Sequence, residues 1–402
     1  MEIKVKTCVH SADKISSNAT VKINSSILKA KSTKWDCPDN IAYPPFINNH
    51  EHLIGNWVPR AGENHPYITT DIWVEEMKKS ESFIERNKVF THNGSFDLTR
   101  GNANLLALLG VYKNIFSGCP VVQDHAPNQK DEYYANFPIE VIKDYKQCHS
   151  LSMGNWWGGK SAQEEWQDSK GKMPFILHLA EGKDKLAKSD FRKLEESGLL
   201  QPNTLIIHGI ALTAGEIKKC AQKGVSICCC PDSNVFLIGK TIDLKACIKY
   251  GVNLVLGTDS TMSGSINMLA EIKFAANKYT FLSSKELYRM ITENAQKALF
   301  LPESYGKLEL NTSHLMLVNN IKDDPFENIL NMETKDIELL IHRGIPIYGN
   351  KQFLDDFDIN PEDYFFFKIG NENKFVIGHP EKVCAKIDAM LGYHKDFPYL
   401  PF

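Results

Sequence analysis

The sequence has no long apolar run, and this absence excludes whole classes of protein. The first residues, MEIKVKTCVHSADK, contain no apolar core of signal-peptide length. No stretch approaches the ~18 to 20 apolar residues that a membrane-spanning helix requires. We therefore expect a cytosolic protein with no membrane partner.

The chain also lacks a long run of basic residues and any internal repeat. Its 46 Lys and Arg residues are outnumbered by 49 Asp and Glu residues, so the formal net charge is -3. Because a phosphate backbone is bound through clustered positive charge, we expect no nucleic-acid partner. Hydrophobic residues make up 43% and charged residues 24%, which is typical of a folded globular protein.

The ten cysteines have neither zinc-finger spacing nor an export signal beside them. In a chain of 402 residues these features favour buried free thiols over a disulfide framework. The run Cys228 to Cys230 is interpreted as alternating core residues at the end of a strand.

Five polar residues stand at the ends of short apolar runs: His50 and His52 in PPFINNHEHLIGN, His178 in PFILHLAEG, His208 in NTLIIHG and Asp259 in VNLVLGTDS. On an extended strand, residues two apart project to the same face, so His50 and His52 should converge on one point. An apolar run bounded by Gly, Asn or Asp indicates a buried strand with its chemistry at the carboxyl end. Together the five predict one catalytic metal site.

The middle of the chain alternates predicted strands with predicted helices. PFILHLA precedes KDKLAKSDFRKLEESG, and TLIIHG precedes LTAGEIKKCAQKG, in which Thr213 and Glu216 form a capping-box pattern. VSICCC and VNLVLGT continue the alternation. Strands separated by helices indicate a parallel sheet.

The order and local sequence of these motifs resemble the amidohydrolase superfamily, in the branch that holds adenosine, cytosine and guanine deaminases, chlorohydrolases and imidazolonepropionase. The resemblance rests on HEH at 50–52, HLAEG at 178–182, HG at 208–209, CPDSN at 230–234 and GTDS at 257–260. It implies an α/β fold, a (β/α)8 TIM barrel that carries a small β-sandwich built from both chain ends.

The resemblance also implies the domain bounds. We expect residues 44–305 to form the barrel, with residues 1–43 and 306–350 contributing the two parts of the sandwich. Residues 351–402 lie outside the resemblance and could form an extra cap or a homodimer contact.

Neutral imidazoles and a carboxylate are good ligands for Zn2+ and Fe2+, and a bound ion activates water near neutral pH. On the resemblance, one divalent ion, Zn2+ before Fe2+, is expected on His50, His52, His178 and Asp259. Glu181 is the expected general acid and base, because it stands just beyond the strand end. Asp259 also belongs to the expected catalytic set, and His208 should orient the water or stabilise developing charge.

Weaker signals identify further residues that could contact a small-molecule substrate: His92, His125, Trp156, Trp157 and Asn234. The histidines could equally be structural, and the two tryptophans could stack on a planar heterocycle or pack in a lid or interface. Asn234 belongs to the CPDSN motif.

Three functions remain open on the sequence. The first is hydrolytic deamination of a small aminated heterocycle or cyclic amidine. The second is hydrolysis without deamination, at another C–N bond, a lactam or imidazolone, or a C–Cl bond, and ammonia release separates the two. The third is an inactive scaffold protein, which predicts lost ligands, whereas every expected ligand is present.

Overall fold

The computed structural model describes residues 1–24, 31, 34–90, 97–99, 102–152 and 160–402. Its strands, in chain order, are β1 Glu2–Ser11, β2 Lys14–Ile23, β3 Lys34–Tyr43, β4 Ile47–Glu51, β5 Val121–Asp124, β6 Glu140–Val141, β7 Lys146–Ser150, β8 Phe175–Leu179, β9 Thr204–His208, β10 Ser226–Cys229, β11 Asn253–Leu256, β12 Asn311–Thr312, β13 Leu315–Asn319, β14 Ile337–His342, β15 Ile345–Asn350, β16 Tyr364–Ile369 and β17 Glu372–Ile377.

The helices, in chain order, are α1 Thr70–Met77, α2 Glu81–Val89, α3 Ala103–Ile115, α4 Asp131–Tyr134, α5 Ala162–Ser169, α6 Lys185–Glu196, α7 Ala214–Lys223, α8 Pro231–Ile238, α9 Leu244–Tyr250, α10 Met268–Lys278, α11 Ser284–Met290, α12 Glu293–Ala298, α13 Glu303–Gly306, α14 Pro325–Asn331, α15 Lys351–Leu354 and α16 Pro380–Leu391. Among the described residues, none of them combines the length and apolar character that crossing a bilayer requires.

Eight short strands form two parallel sheets. Strands β7 to β11 form a parallel sheet in the order β11-β10-β9-β8-β7, and a second sheet has the order β4-β5-β6. A parallel bridge between Glu51 and Asp259 joins the end of β4 to the segment that follows β11. All residues of β8 and β9 are buried, as expected for strands covered on both faces.

Closure of the barrel, expected from the resemblance, is not detected in the strand pairing of the described residues. Strands β6 and β7 fall in different sheets and are separated only by residues 142–145. Parallel neighbours need a connection of about a dozen residues or more, so this short link cannot place the two strands side by side. The established architecture is therefore a barrel-type α/β arrangement.

The helices of the second half begin and end where local chemistry dictates. The predicted capping box is confirmed, because the Thr213 hydroxyl accepts from the Glu216 backbone N–H and the Glu216 carboxylate accepts from the Thr213 backbone N–H. Helix α7 then ends at Gly224, which has a left-handed backbone conformation. Such local signals set the strand–helix alternation that brings the strand ends together.

The two chain ends share a nine-stranded mixed sheet in the order β12-β2-β1-β3-β13-β14-β15-β17-β16. Strand β3 from the N-terminal end pairs with β13 from the C-terminal part. Its hydrophobic core includes Val5, Leu317, Leu339 and Phe375. Strands β16 and β17, from residues 351–402, extend the same sheet.

The last residues of the chain pack beside the segment that follows HEH. Helix α16 contacts α2 and α3. The Tyr399 hydroxyl donates to the Asn56 carbonyl over 2.7 Å, and the Phe397 ring lies 5.5 Å from the Trp57 ring. The C-terminal segment therefore packs against Asn56 and Trp57, just after the HEH motif. All ten cysteines are free thiols, nine of them buried.

Candidate metal centre and active site

The structure brings the five polar strand-end residues together. Imidazole nitrogens of His50, His178 and His208 lie within 4.8 Å of one another, and so do donor atoms of His50, His52 and Asp259. The Asp259 Oδ1 atom is 3.5 Å from His52 Nε2 and 3.8 Å from His50 Nε2. The donors thus surround a single point at the carboxyl ends of the strands.

Close approach of the first and last strands depends on a glycine. A Cβ atom at Gly257 would lie 2.6 Å from the His50 Cβ and 2.9 Å from the Cys228 Sγ. Any side chain there would push the strand ends apart. The glycine of the GTDS motif is therefore a requirement of the donor geometry.

Two histidines are oriented by hydrogen bonds on the far side of their rings. The His178 Nδ1–H donates to the His149 carbonyl over 2.9 Å, and the His208 Nδ1–H donates to the Asn234 side-chain oxygen over 2.7 Å. Each bond leaves Nε2 as the lone-pair nitrogen. Metal-binding histidines usually have this second hydrogen bond, which selects the tautomer and the ring orientation.

The carboxylate of Asp259 is oriented in the same way. Its Oδ2 atom accepts from the hydroxyls of Ser233 and Ser263 over 2.7 and 2.9 Å, so Oδ1 faces the histidines. Burial alone would raise the pKa of Asp259, but the neighbouring His52 and His208 and the two hydroxyls lower it below its usual value. The group is therefore ionised near neutral pH, the form in which a carboxylate can bind a cation.

His50 shows most directly that this site fits a cation. Its side chain is 0% exposed, and neither ring nitrogen has a hydrogen-bond partner among the described residues. Burial, together with the nearby histidines, lowers its pKa well below the ordinary value, so the ring is neutral. An unsatisfied buried imidazole costs free energy, and a divalent ion would satisfy it.

Two residues of the site have a backbone conformation that is uncommon outside glycine. His208 has a φ of 69° and Asp259 a φ of 53°. Left-handed backbone at non-glycine residues is unfavourable and is concentrated at functional sites. It turns both side chains toward the donor cluster immediately after their strands end.

Glu181 lies beside the donor cluster and is buried. Its Oε1 atom is 3.5 Å from His208 Nε2. Burial raises the pKa of Glu181 to about 7, an effect that His208 opposes and Asp259 reinforces. A carboxyl group with such a pKa can accept and return a proton near neutral pH.

These residues line one cavity of about 380 Å³. Its polar lining is formed by His52, Asp124, His125, His149, His178, Glu181, His208 and Asp259. Its apolar lining is formed by Ile54, Trp73, Val74, Met77, Phe83, Phe90, Leu237 and Met262. A planar polar ring could contact the polar residues while an apolar substituent contacts the apolar ones.

Among the described residues, Arg86 is one of two cationic residues that line the cavity, with Lys78. Its guanidinium lies 4.3 Å from the centre of the Phe83 ring and 5.2 Å from that of Phe90. Its Nε atom is buried and has no hydrogen-bond partner in the part of the chain that the structure describes. Burial lowers the pKa of Arg86 to about 10, so the group remains charged and can donate to a ligand.

Two site residues were missed by the sequence interpretation. His149 is the penultimate residue of β7, and its ring centre is 5.0 Å from that of His178. Asp124 ends β5, and its Oδ1 accepts from the Leu53 backbone N–H over 3.0 Å. Burial raises the pKa of Asp124 to about 7. Asp124 stands shortly after the apolar pair VV at 121–122, a weak form of the signal that identified the other five residues, whereas KQC precedes His149 and no apolar run marks it.

The remaining predicted contact residues have different outcomes. His125 lies in the cavity wall, with its ring centre 4.3 Å from that of His178. Asn234 orients His208 and is not among the residues that line the cavity. His92, Trp156 and Trp157 lie outside the described residues.

Comparison with known proteins identifies a matching family and similar proteins. The sequence profile of the amidohydrolase family matches residues 160–312. A 5-methylthioadenosine/S-adenosylhomocysteine deaminase of Thermococcus sibiricus is 33% identical over 181 residues, or 39% of this chain and 42% of that protein. A 5'-deoxyadenosine deaminase of Methanosphaera stadtmanae is 29% identical over 383 residues, or 82% of this chain and 87% of that protein.

Residues 160–312 of the chain match the amidohydrolase family, and a relative that spans most of its length is named a deaminase. The predicted family is thus confirmed, and with it a hydrolase of the deaminase-like type. A zinc-complexed atrazine chlorohydrolase of Arthrobacter aurescens has a similar fold, with a TM-score of 0.68 and 15% identity over 97% of this chain and 99% of that one. At this identity the likeness concerns the fold alone.

Proposed function

We propose that this amidohydrolase is a hydrolytic deaminase of an adenine nucleoside that carries a substituent at the 5' position. Relatives with this kind of substrate in their names, including the Methanosphaera stadtmanae protein, support the proposal. The observation that carries it is the buried donor cluster with Glu181 beside it in a cavity lined by both polar and apolar residues.

His50, His52, His178 and Asp259 would hold one divalent ion, and we propose zinc. His208 lies in the same donor group as His50 and His178, so the geometry favours a fifth ligand over a role that only orients water. A bound divalent ion supplies Lewis acidity and an activated water near neutral pH. The hydrogen bonds on the far sides of His178 and His208 keep their rings aimed at it.

Glu181 would carry the proton through the reaction. Deamination replaces the amino group of the ring carbon with oxygen from water and releases ammonia, so one proton must pass from the water to the leaving nitrogen. Glu181 can accept that proton and return it, because its carboxyl group is buried beside the donors and its pKa is raised to about 7 by burial.

The residues that line the cavity also favour particular substituents at the 5' position. Trp73, Met77 and Phe83 offer apolar surface that suits an alkyl or thioether group. Arg86 offers a cation whose Nε lacks a protein partner among the described residues. We propose that a carboxylate at the end of the substituent would be bound here, which favours S-adenosylhomocysteine over 5'-methylthioadenosine.

The alternative is hydrolysis without deamination, and the fold shared with a chlorohydrolase keeps it open. Zinc-loaded protein should be incubated with adenine nucleosides, other aminated heterocycles and chlorinated triazines while ammonia and chloride are measured. We expect ammonia from the nucleosides, and none from the same protein with Glu181→Gln. Chloride release from the triazines without ammonia from any amine would replace the proposal with the alternative.

A further inference from the structure

A buried ion pair lies directly beneath the metal donors. Glu51, the middle residue of the HEH motif, is 2.8 Å from Lys113 of α3. The two side chains are 0% and 1% exposed. Removing both charges from water is costly, and such a pair is often no more stabilising than an apolar replacement. Its position beside the donors therefore calls for another explanation than stability.

The carboxylate of Glu51 contacts two of the segments that carry candidate metal donors. Its Oε1 atom accepts from the His52 backbone N–H over 3.1 Å. Its Oε2 atom accepts from the hydroxyl of Thr258, the residue before Asp259, over 2.9 Å. One side chain thus contacts the backbone of one expected ligand and the neighbour of another.

Lys113 completes the link from the opposite side. Its ammonium group donates to the Asn56 side-chain oxygen over 2.8 Å and, at a longer 3.5 Å, to the Asp259 carbonyl. The Asn56 amide donates in turn to Glu51 Oε1 over 3.2 Å. Since Asp259 has a left-handed backbone conformation, a contact to its carbonyl acts on the peptide group that determines where its side chain points.

We propose that the Glu51–Lys113 pair is a positioning element that sets the separation between His52 and Asp259 for metal binding. The pair touches no substrate and acts through the ligands. The inference rests on the metal site of the proposed function, but it does not depend on the reaction or on the substrate. Backbone hydrogen bonds from the Thr258 and Asp259 N–H groups to the His50 carbonyl also join the two segments, and the ion pair acts beside them through the His52 N–H and the Asp259 carbonyl.

A second buried lysine provides a matched control. Lys374 is 0% exposed and lies 2.7 Å from Glu372, and its ammonium also donates to the Ile337 carbonyl over 3.2 Å. It belongs to β17 of the terminal sheet, outside the donor cavity. A change there removes a buried charge without altering any contact to an expected ligand.

The test measures zinc affinity by competition with a chromophoric chelator, together with the thermal midpoint of the apo protein. Glu51→Gln, Lys113→Met, the double variant and Lys374→Met should be compared with the unaltered chain. We expect the dissociation constant for zinc to rise ~10- to 100-fold in both single variants, as for other residues that orient metal ligands. The double variant should recover the midpoint lost by Lys113→Met but keep the weak zinc affinity, and Lys374→Met should change the midpoint alone.

Zinc affinity equal to that of the unaltered chain in Glu51→Gln, or restored in the double variant, would show that the pair is merely structural and would overturn the inference while leaving the metal site intact. Absence of zinc binding by the unaltered chain would overturn both. Zinc binding without any ammonia release would refute only the proposed reaction.

Discussion

The Oε1 atom of Glu181 lies 3.5 Å from the Nε2 atom of His208, and both side chains line the same cavity. His208 donates its other ring proton to Asn234, so the nitrogen that faces Glu181 carries the lone pair. A proton on Glu181 could therefore be shared with His208 Nε2. When a metal ion occupies Nε2, only Glu181 of the two can carry the proton. In this arrangement His208 would bind the metal ion and Glu181 would carry the proton.

Glu181→Gln should keep the metal and lose most of the activity. The amide has the shape of the carboxyl group but cannot transfer the proton, and positioned proton transfer contributes ~10² to 10⁴ in rate. We expect kcat to fall ~10²-fold or more, measured by ammonia release beside metal analysis of the same sample. An active variant would place the proton carrier elsewhere.

His178→Ala should release the ion. The variant removes one donor and leaves the His149 carbonyl without its partner. We expect less than stoichiometric metal after gel filtration, whereas His10→Ala should retain it, because His10 is a buried histidine bound to Ser16 and the Leu308 carbonyl. Full metal content in His178→Ala, or two ions per unaltered chain, would contradict a single ion on this donor set.

Arg86→Met should change substrate preference. A hydrogen bond to a charged group contributes ~1.5 to 3 kcal/mol, which corresponds to about a 10- to 100-fold change. We expect kcat/KM for S-adenosylhomocysteine to fall by that factor while kcat/KM for 5'-methylthioadenosine changes little. Lys78→Met is the control, because Lys78 also lines the cavity but is half exposed and paired with Glu75. Equal losses for both substrates would indicate that Arg86 only packs between Phe83 and Phe90.

Glu271 should make stability fall as pH rises. Burial raises its pKa in the folded protein to about 8 from the ordinary value of 4.5. Between these values the folded state binds a proton that the unfolded state has released. Its contribution is therefore complete below the unfolded pKa and is lost as pH rises toward the folded pKa, with a slope of up to about 1.4 kcal/mol per unit.

The test is thermal unfolding of the unaltered chain and Glu271→Gln between pH 5 and 8. The amide keeps the acceptor for the Asp232 backbone N–H and cannot ionise. We expect the variant's midpoint to decline less across this interval. Parallel curves would mean that Glu271 is ionised in the folded protein.

Residues close in sequence were predicted well, for a physical reason. A strand projects alternate residues to one face, so HEH by itself predicts that His50 and His52 converge. Capping chemistry is also local, which is why the helix start at Thr213 was predicted correctly. Strand β6 was not predicted as a separate strand, because its two residues are too few for any periodic signal.

The sequence by itself determined the chemistry of the site: the histidine and carboxylate donors, the glutamate beside them, and the family to which their order belongs. Tertiary structure alone decided how those donors are held. Lys113 is an ordinary helix residue in the sequence, and it becomes an ionic partner of Glu51 only because α3 packs beneath β4. Likewise Arg86 faces the cavity only through the packing of α2. Burial and pairing depend on contacts between distant segments, and no local pattern encodes them.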